Sequence, residues 1–132
     1  MPTKKNTKPA ASLIWFEIPT DDLARAKKFY SALFGWKINP FPNSPLADYE
    51  HIDTGGPDAS PDGGLMKRIH PEQAITTYIS VPSVTKAVAK IEKLGGSVCK
   101  EKTAVAGMGF FAICKDTENN IFAIWEMSPK AK

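Results

Sequence analysis

Residues 13–35, LIWFEIPTDDLARAKKFYSALFG, hold the clearest structural pattern of the chain. Leu13 to Ile18 are β-prone and almost all apolar, and the run Pro19-Thr20-Asp21-Asp22 that follows is rich in turn and helix-capping residues. This order predicts a strand followed by a helix that begins near Asp21. Gly35 is predicted to end the helix as its C-terminal cap. The apolar residues recur at three- and four-residue spacings and predict a core-packed face made of Leu23, Ala26, Tyr30, Leu33 and Phe34.

The second half of the chain repeats this order. Residues 76–81 form a predicted strand, Pro82-Ser83 begins a helix, and Gly95-Gly96 follows that helix. Its apolar stripe consists of Val84, Ala87, Val88, Ile91 and Leu94. Each helix is followed by three predicted strands, at Trp36–Ile38, Tyr49–Asp53 and Leu65–Ile69 in the first half and at Ser97–Glu101, Phe110–Cys114 and Ile121–Met127 in the second.

Both halves therefore read β-α-β-β-β, which indicates a duplicated unit within one domain. We predict a single domain over residues 12–128, with modules at about 12–70 and 75–128. A disordered basic arm over residues 1–11 precedes it, and residues 129–132 form a tail. Between the modules, residues 55–64 are dense in Gly, Pro, Asp and Ser. We interpret this segment as a flexible hairpin connection rather than a phosphate-binding loop, because no Gly-Lys-Ser/Thr follows and the next element is a strand.

Composition and charge exclude several classes of function. The 132 residues contain no apolar run of the roughly 20 residues that a membrane helix needs. Five lysines lie in the terminal tails, so the formal net charge of +3 becomes −2 for the rest of the chain, which argues against nucleic-acid binding. Cys99 and Cys114 are far apart in the sequence and do not form a CxxC motif. They are predicted to be free thiols, which favours a cytoplasmic location.

Several segments resemble a known family. Residues 15–30, WFEIPTDDLARAKKFY, and residues 33–36, LFGW, are similar to the first strand, helix and "FY…LG(W/F)" ending of the vicinal oxygen chelate superfamily. That superfamily includes glyoxalase I, bleomycin-resistance proteins and extradiol dioxygenases. Residues 107–113, GMGFFAI, and 116–122, DTENNIF, resemble its "GWG" and "DPDGN" segments. Asn119 stands where the family has Gly, and Asn tolerates a left-handed backbone better than most residues.

The resemblance implies an α+β fold in which two βαβββ modules form curved sheets around a central cavity, with the helices outside. Catalytic members of the family hold a divalent metal with His, Gln or Glu. The corresponding positions here are Leu13, residues 64–66, Thr76 and Ala123, and these side chains do not supply the converging donors that a metal needs. We therefore expect no metal and no other cofactor. A divalent metal held by non-standard ligands is the alternative.

The two histidines do not fall at these positions. We interpret His51 and His70 as solvated or structural residues. A strand register shifted by one residue would exchange the faces of the third strand, so a site formed by Glu50, His51 and Asp53 stays an alternative.

Alternation along the strands predicts which residues line the cavity. On the first strand Ile14, Phe16 and Ile18 should face the helix. Their neighbours should face the cavity, and so should alternate residues of the strands that begin at Thr76 and Ile121. The predicted lining is Leu13, Trp15, Glu17, Met66, Thr76, Tyr78, Ser80, Ala123 and Trp125.

A mostly apolar, aromatic lining with a few polar groups is typical of a ligand site. We therefore predict a protein that binds a small, partly aromatic or amphiphilic molecule, as a binding protein or a metal-independent enzyme. Glu17 is the candidate catalytic residue, and desolvation by its aromatic neighbours should raise its pKa unless donors compensate. The alternatives are a metal-dependent lyase or dioxygenase and an interaction module with a vestigial cavity. The family resemblance also leads us to expect a homodimer.

Overall fold

A computed structural model describes residues 11–41, 48–57 and 60–132 of the chain. In this described part the fold is α+β, with two helices and eight strands that form a pair of βαβββ modules, as predicted. Two compact units are present. The N-terminal unit comprises residues 14–77, and the C-terminal unit comprises residues 78–132 together with residues 11–13. Most of the predicted N-terminal arm lies outside the described residues.

The N-terminal unit contains one helix and four strands. Its elements are β1 (Leu13–Thr20), α1 (Leu23–Phe34), β2 (Lys37–Pro40), β3 (Tyr49–Asp53) and β4 (Asp62–Lys67). The strand order is β2-β3-β4-β1. The β2–β3 and β3–β4 pairs are antiparallel, whereas β1 pairs with β4 in parallel, with Glu17 beside Gly64.

The C-terminal unit also contains one helix and four strands. Its elements are β5 (Thr76–Ser80), α2 (Val84–Lys93), β6 (Ser97–Val105), β7 (Gly109–Lys115) and β8 (Ile121–Met127). The strand order is β5-β8-β7-β6, with β5 and β8 parallel and the other two pairs antiparallel. The pairing of β6 with β7 contains two register shifts, between Val98 and Lys100 and between Lys100 and Thr103.

Both helices begin at the capping residues that the sequence indicates. The carboxylate of Asp22 accepts a hydrogen bond from the backbone N–H of Arg25, and the hydroxyl of Ser83 accepts one from the N–H of Lys86. Each side chain satisfies a donor that the first turn of a helix leaves unpaired. Gly35 ends α1 with a left-handed φ of 73°, as predicted.

The core of the N-terminal unit lies between its sheet and α1. Four buried residues from four strands form it, namely Ile18, Ile38, Ile52 and Leu65. From α1, only Leu23, Ala26 and Tyr30 pack against these residues. The prediction that Leu33 and Phe34 also belong to the core is wrong, because they are 58% and 57% exposed. The last turn of α1 extends past the packed stripe, and the Phe34 ring lies beside Trp36, with centroids 5.0 Å apart.

The core of the C-terminal unit lies between its sheet and α2. It consists of Val84, Ala112, Cys114 and Ile124, and Ala87, Val88 and Ile91 of α2 pack against it. Leu94, predicted as the end of the apolar stripe, is 68% exposed because α2 ends at Lys93. Both cysteines are free thiols, and burial raises the pKa of Cys114 to about 11.

The fourth strand differs from its prediction. We predicted Leu65–Ile69, but β4 runs from Asp62 to Lys67 and includes Gly63 and Gly64, which the sequence assigned to a connecting turn. Both glycines are buried, and a Cβ atom on Gly63 would overlap Phe16. Glycine is used here for close packing within a strand and not for a turn.

The turn between β7 and β8 forms as the sequence indicates. Asn119 has a left-handed φ of 69°. The carboxylate of Asp116 accepts hydrogen bonds from the backbone N–H groups of Glu118 and Asn120 and from the Asn120 side chain. These bonds, those from Asn120 first, hold the pKa of Asp116 below its usual value.

Within the described ranges, neither helix is long and apolar enough to cross a membrane.

Near the end of the chain, Ala131 is buried, and its carbonyl accepts a hydrogen bond from the N–H of Gly107. The predicted tail therefore contacts the turn between β6 and β7.

The burial of Leu65 and the exposure of Leu33 lead us to a prediction about the stability of two alanine variants. Leu65→Ala should lower the free energy of unfolding by about 2–5 kcal/mol, because it leaves a cavity at a fully buried position. Leu33→Ala makes the same chemical change on an exposed side chain and should cost about 0.5 kcal/mol or less. Urea denaturation of both variants measures the difference. A cost for Leu33→Ala equal to that of Leu65→Ala would return Leu33 to the core.

Candidate functional site

The sheet of the N-terminal unit has two faces with different chemistry. Ile18, Ile52 and Leu65 point toward α1, so alternation sends the side chains between them to the opposite face. We call this opposite face the site face. It carries Trp15 and Glu17 from β1, Tyr49 and His51 from β3, and Asp62 and Met66 from β4. The predicted facing of Trp15 and Glu17 away from the helix therefore agrees with the packing of Phe16 and Ile18 on the helix side.

Three side chains on the site face form a hydrogen-bonded chain. The indole Nε1–H of Trp15 donates to the hydroxyl oxygen of Tyr49 over 2.9 Å. The Tyr49 hydroxyl in turn donates to Oε2 of Glu17 over 2.7 Å. All three residues are half-buried. The hydrogen bond from Tyr49 holds the carboxylate of Glu17 in a defined orientation at the end of this hydrogen-bonded chain.

Gly64 makes room for this chain. It lies next to Glu17 on one side and to His51 on the other, and a Cβ atom there would overlap the hydroxyl end of Tyr49. Tyr49 can therefore extend across β4 toward β1. The hydrogen bond to Glu17 depends on the absence of a side chain at this position.

A second polar pair lies beside the first. The Nε2 atom of His51 lies 3.2 Å from Oδ2 of Asp62, and Oδ1 of Asp62 accepts a hydrogen bond from the backbone N–H of Thr54. The His51 ring is stacked on Trp15, with centroids 5.7 Å apart and planes inclined by 9°. Phe41 lies within 6 Å of the rings of Trp15, Tyr49 and His51. Four rings and two carboxylates are thus gathered on one face of one sheet.

The hydroxyl of Tyr49 is held in its neutral form. Burial raises its pKa well above the ordinary range, and the negative charge of Glu17 and the hydrogen bond to it act in the same direction. A neutral Tyr49 keeps its proton for donation to Glu17. The pair therefore consists of one acceptor carboxylate and one fixed donor.

Three other predicted site residues, Met66, Thr76 and Leu13, lie at several depths. Met66 is buried, and its Sδ atom lies 3.7 Å from the side-chain nitrogen of Gln73. Thr76 is also buried, and its hydroxyl donates to the carbonyl of Ala74. Leu13, which belongs to the C-terminal unit, is 47% exposed. None of these three contributes to the hydrogen-bonded chain.

The predicted site residues of the C-terminal unit share the face opposite α2. Tyr78 pairs with Ala123, and Ser80 pairs with Trp125, in the parallel ladder of β5 and β8. Tyr78 and Ala123 are buried, and Trp125 is half-buried. The ring of Tyr78 lies 6.3 Å from that of Phe111. This face therefore resembles the site face in being aromatic.

The sequence analysis missed Tyr49, Phe41 and Asp62 as members of the site. Alternation along β3 places Tyr49 on the same face as His51. The lack of a side chain at Gly64 was the available signal that Tyr49 reaches across β4. Phe41 has no such signal, because it follows β2 and its position depends on the folded unit.

The residues at the family's metal positions do not fit a divalent metal. Leu13 and Ala123 have no donor atoms, and the Thr76 hydroxyl is engaged with a backbone carbonyl. Across the parts of the chain that the structure describes, no group of three or more His, Cys, Asp and Glu side chains could hold a metal ion. His70 is exposed and accepts a hydrogen bond from the N–H of Glu72.

Comparisons with known proteins were consistent with one another. A family model described as bleomycin resistance protein-like N-terminal matches residues 12–50. The chain is 33% identical over 115 residues to a glyoxylase-like domain-containing protein of Didymella fabae, and this match covers 82% of this chain and 88% of that protein. It is 26% identical over 125 residues to an anthracycline biosynthesis protein of Streptomyces peucetius, covering 84% of this chain but only 45% of that relative's length.

A solved structure shares the fold. It is that of a glyoxalase/bleomycin resistance protein/dioxygenase superfamily member from Vibrio splendidus 12B01, which matches with a TM-score of 0.64 at 9% identity. The match covers 90% of this chain and 100% of that chain. At this level of identity the likeness concerns the fold alone.

The Tyr49–Glu17 hydrogen bond leads us to a prediction about how the free energy of unfolding depends on pH. Tyr49→Phe should lower the free energy of unfolding by about 1–3 kcal/mol at pH 8, because it leaves Glu17 without this donor. The folded pKa of Tyr49 is raised, so its contribution is complete below the unfolded pKa of about 10 and is lost as the pH rises above that value. The deficit of the variant should therefore shrink between pH 8 and pH 11 in urea titrations. An equal deficit at both pH values would contradict this assignment.

Proposed function

We propose that this chain, which belongs to the glyoxalase, bleomycin-resistance and dioxygenase superfamily, binds a small, partly aromatic or amphiphilic molecule on its site face. The observation that carries the proposal is the chain from Trp15 through Tyr49 to Glu17. It supplies a carboxylate that the hydroxyl of Tyr49 orients, on the face that also carries the rings of Trp15 and His51. Ligand sites commonly combine an apolar, aromatic surface with a few polar groups that fix the ligand's orientation.

The aromatic part of the ligand has suitable partners on this face. Trp15 and His51 are already stacked, and a flat ring can extend such a stack in an offset or edge-to-face arrangement. The relative from Streptomyces peucetius is named as an anthracycline biosynthesis protein. We take that name as support for an aromatic ligand on the site face.

The polar part of the ligand would meet Glu17. Tyr49 directs its proton to Oε2, so the carboxylate is positioned to accept a hydrogen bond from a ligand N–H or O–H group. Binding needs only this interaction, whereas catalysis also needs a proton transfer in the transition state. If turnover accompanies binding, Glu17 is the group we assign as general base, in a glyoxalase-like lyase or dioxygenase-related reaction that proceeds without a metal.

Two further proposals concern the protein's setting. The two free thiols favour a reducing compartment, and we propose a cytoplasmic location on that basis. We also propose a homodimer, by analogy with the family, since symmetric dimers are the commonest oligomers.

A ligand titration tests the proposed site. A panel of flat aromatic acids and amines, followed by tryptophan emission and melting temperature, should give a saturable response for at least one compound. Trp15→Phe should remove most of the emission change. Trp36→Phe is the matched control, because Trp36 lies on the helix side of the sheet and its loss should leave the response intact.

The role of Glu17 is tested in the same assay. Glu17→Gln keeps the shape of the side chain and removes its charge, so affinity should fall about tenfold while folding is retained. Loss of part of the emission change in Trp125→Phe would indicate that the ligand also affects the C-terminal unit. Unchanged emission and melting temperature across the panel would support the vestigial-cavity alternative.

The metal-dependent alternative has its own test. We expect less than a stoichiometric amount of Zn, Ni, Fe or Mn after dialysis without chelator, because Leu13, Thr76 and Ala123 occupy the family's ligand positions. Elemental analysis of the purified protein measures the content. About one metal ion per chain, lost together with stability on EDTA treatment, would favour a metal-dependent lyase or dioxygenase with non-standard ligands.

A further inference from the structure

The C-terminal unit contains a groove that the site face does not use. The groove has a volume of about 430 Å³ and lies between α2 and strands β5 and β8. It is therefore on the helix side of this sheet, opposite the face that carries Tyr78 and Trp125. Its volume falls within the range of small-molecule sites. Its apolar lining includes Ile79, Val81, Phe122, Ala87, Ile91 and Leu94.

The lining is only partly covered by the protein itself. Val81, Ile91 and Phe122 are half-buried although they pack against the core, and Leu94 is exposed. Removing such apolar surface from water is favourable for any ligand that fits the groove. The groove is therefore suited to a flexible hydrocarbon chain, which can follow its length between the helix and the strands.

Two lysines give the groove a positive charge. Lys86 and Lys90 both line it and lie one helical turn apart, so their side chains are neighbours on α2. Within the described residues, neither forms an ion pair with a carboxylate. The described residues that line the groove include no Asp or Glu. Lysine side chains can cover apolar surface with their stems while the ammonium groups stay in water.

We propose that this groove binds a single-chain anionic amphiphile such as a medium-length fatty acid. The hydrocarbon chain lies against Val81, Ile91 and Phe122, and the carboxylate lies near the ammonium groups of Lys86 and Lys90. Apolar contact supplies most of the affinity, and the charges select an anionic head group over a cationic one.

The chain's own N-terminal residues are a poorer match for the groove. Ala11 is among the lining residues, so the preceding segment is attached close by. Residues 1–10 contain Lys4, Lys5 and Lys8, no acidic residue and no apolar run. Their positive charge is repelled by Lys86 and Lys90.

Calorimetric titration of the full-length protein with decanoate, below its micelle concentration, tests the proposal. Decanoate should bind saturably, and the double variant Lys86→Glu, Lys90→Glu should bind it about tenfold more weakly or worse while gaining affinity for decyltrimethylammonium. Lys93→Glu is the matched control, because it makes the same charge change on the same helix outside the groove lining. Its decanoate affinity should equal that of the wild type within about twofold.

Further measurements locate the site of decanoate binding. Glu17→Gln should leave decanoate affinity unchanged, which separates this groove from the site face. Amide NMR shifts should change at Ala87, Ile91 and Phe122 on titration. Undiminished decanoate binding by the double variant, or shifts confined to the site face, would overturn the proposal. A large gain in affinity on removal of residues 1–10 would assign the groove to that segment, and decanoate-induced dissociation of a dimer would assign it to a second copy of the chain.

Discussion

Gly63 and Gly64 of β4 allow side chains from two other strands to lie against the middle of the N-terminal sheet. A Cβ atom on Gly63 would overlap Phe16 on the helix side, and a Cβ atom on Gly64 would overlap Tyr49 on the site face. Because successive residues of a strand point to opposite faces, one pair of glycines serves both layers. The core and the candidate site of this unit therefore depend on the same two positions.

The two glycines therefore connect the stability of the core with the position of the Glu17 carboxylate. The register of β1 on β4 places Phe16 beside Gly63 and Glu17 beside Gly64. A shift of one residue would move the carboxylate into the layer of Ile52 and Leu65, where an ionised group without partners is costly. The apolar core thus fixes the register that brings Glu17 within hydrogen-bond distance of Tyr49. The neutral hydroxyl of Tyr49 then stabilises the carboxylate on a half-buried surface.

Local sequence patterns correctly predicted those features of the structure that local interactions determine. Asp22 and Ser83 cap their helices through hydrogen bonds that span three residues, and the left-handed positions of Gly35 and Asn119 follow from backbone preferences. Leu33 and the pair Gly63-Gly64 were misassigned for a different reason. Spacing shows which side of a helix is apolar but not how far the sheet beneath it reaches, and a glycine pair reads as a turn until its tertiary neighbours are known. The facing of Trp15 and Glu17 followed from alternation, whereas their link through Tyr49 depended on a long-range pairing of strands.

The terminal strands β2 and β6 have a consequence for behaviour at high concentration. In the N-terminal unit, the terminal strand β2 has only four residues and ends at Pro40, which has no N–H to offer to another strand. In the C-terminal unit, the terminal strand β6 is interrupted by two register shifts and carries exposed charges at Lys100 and Glu101. Irregular, charged or proline-bearing margins of this kind are poor templates for adding a strand from another molecule. The chain is thereby protected at both of these margins against edge-to-edge aggregation, which favours side-chain surfaces over these two strands for self-association.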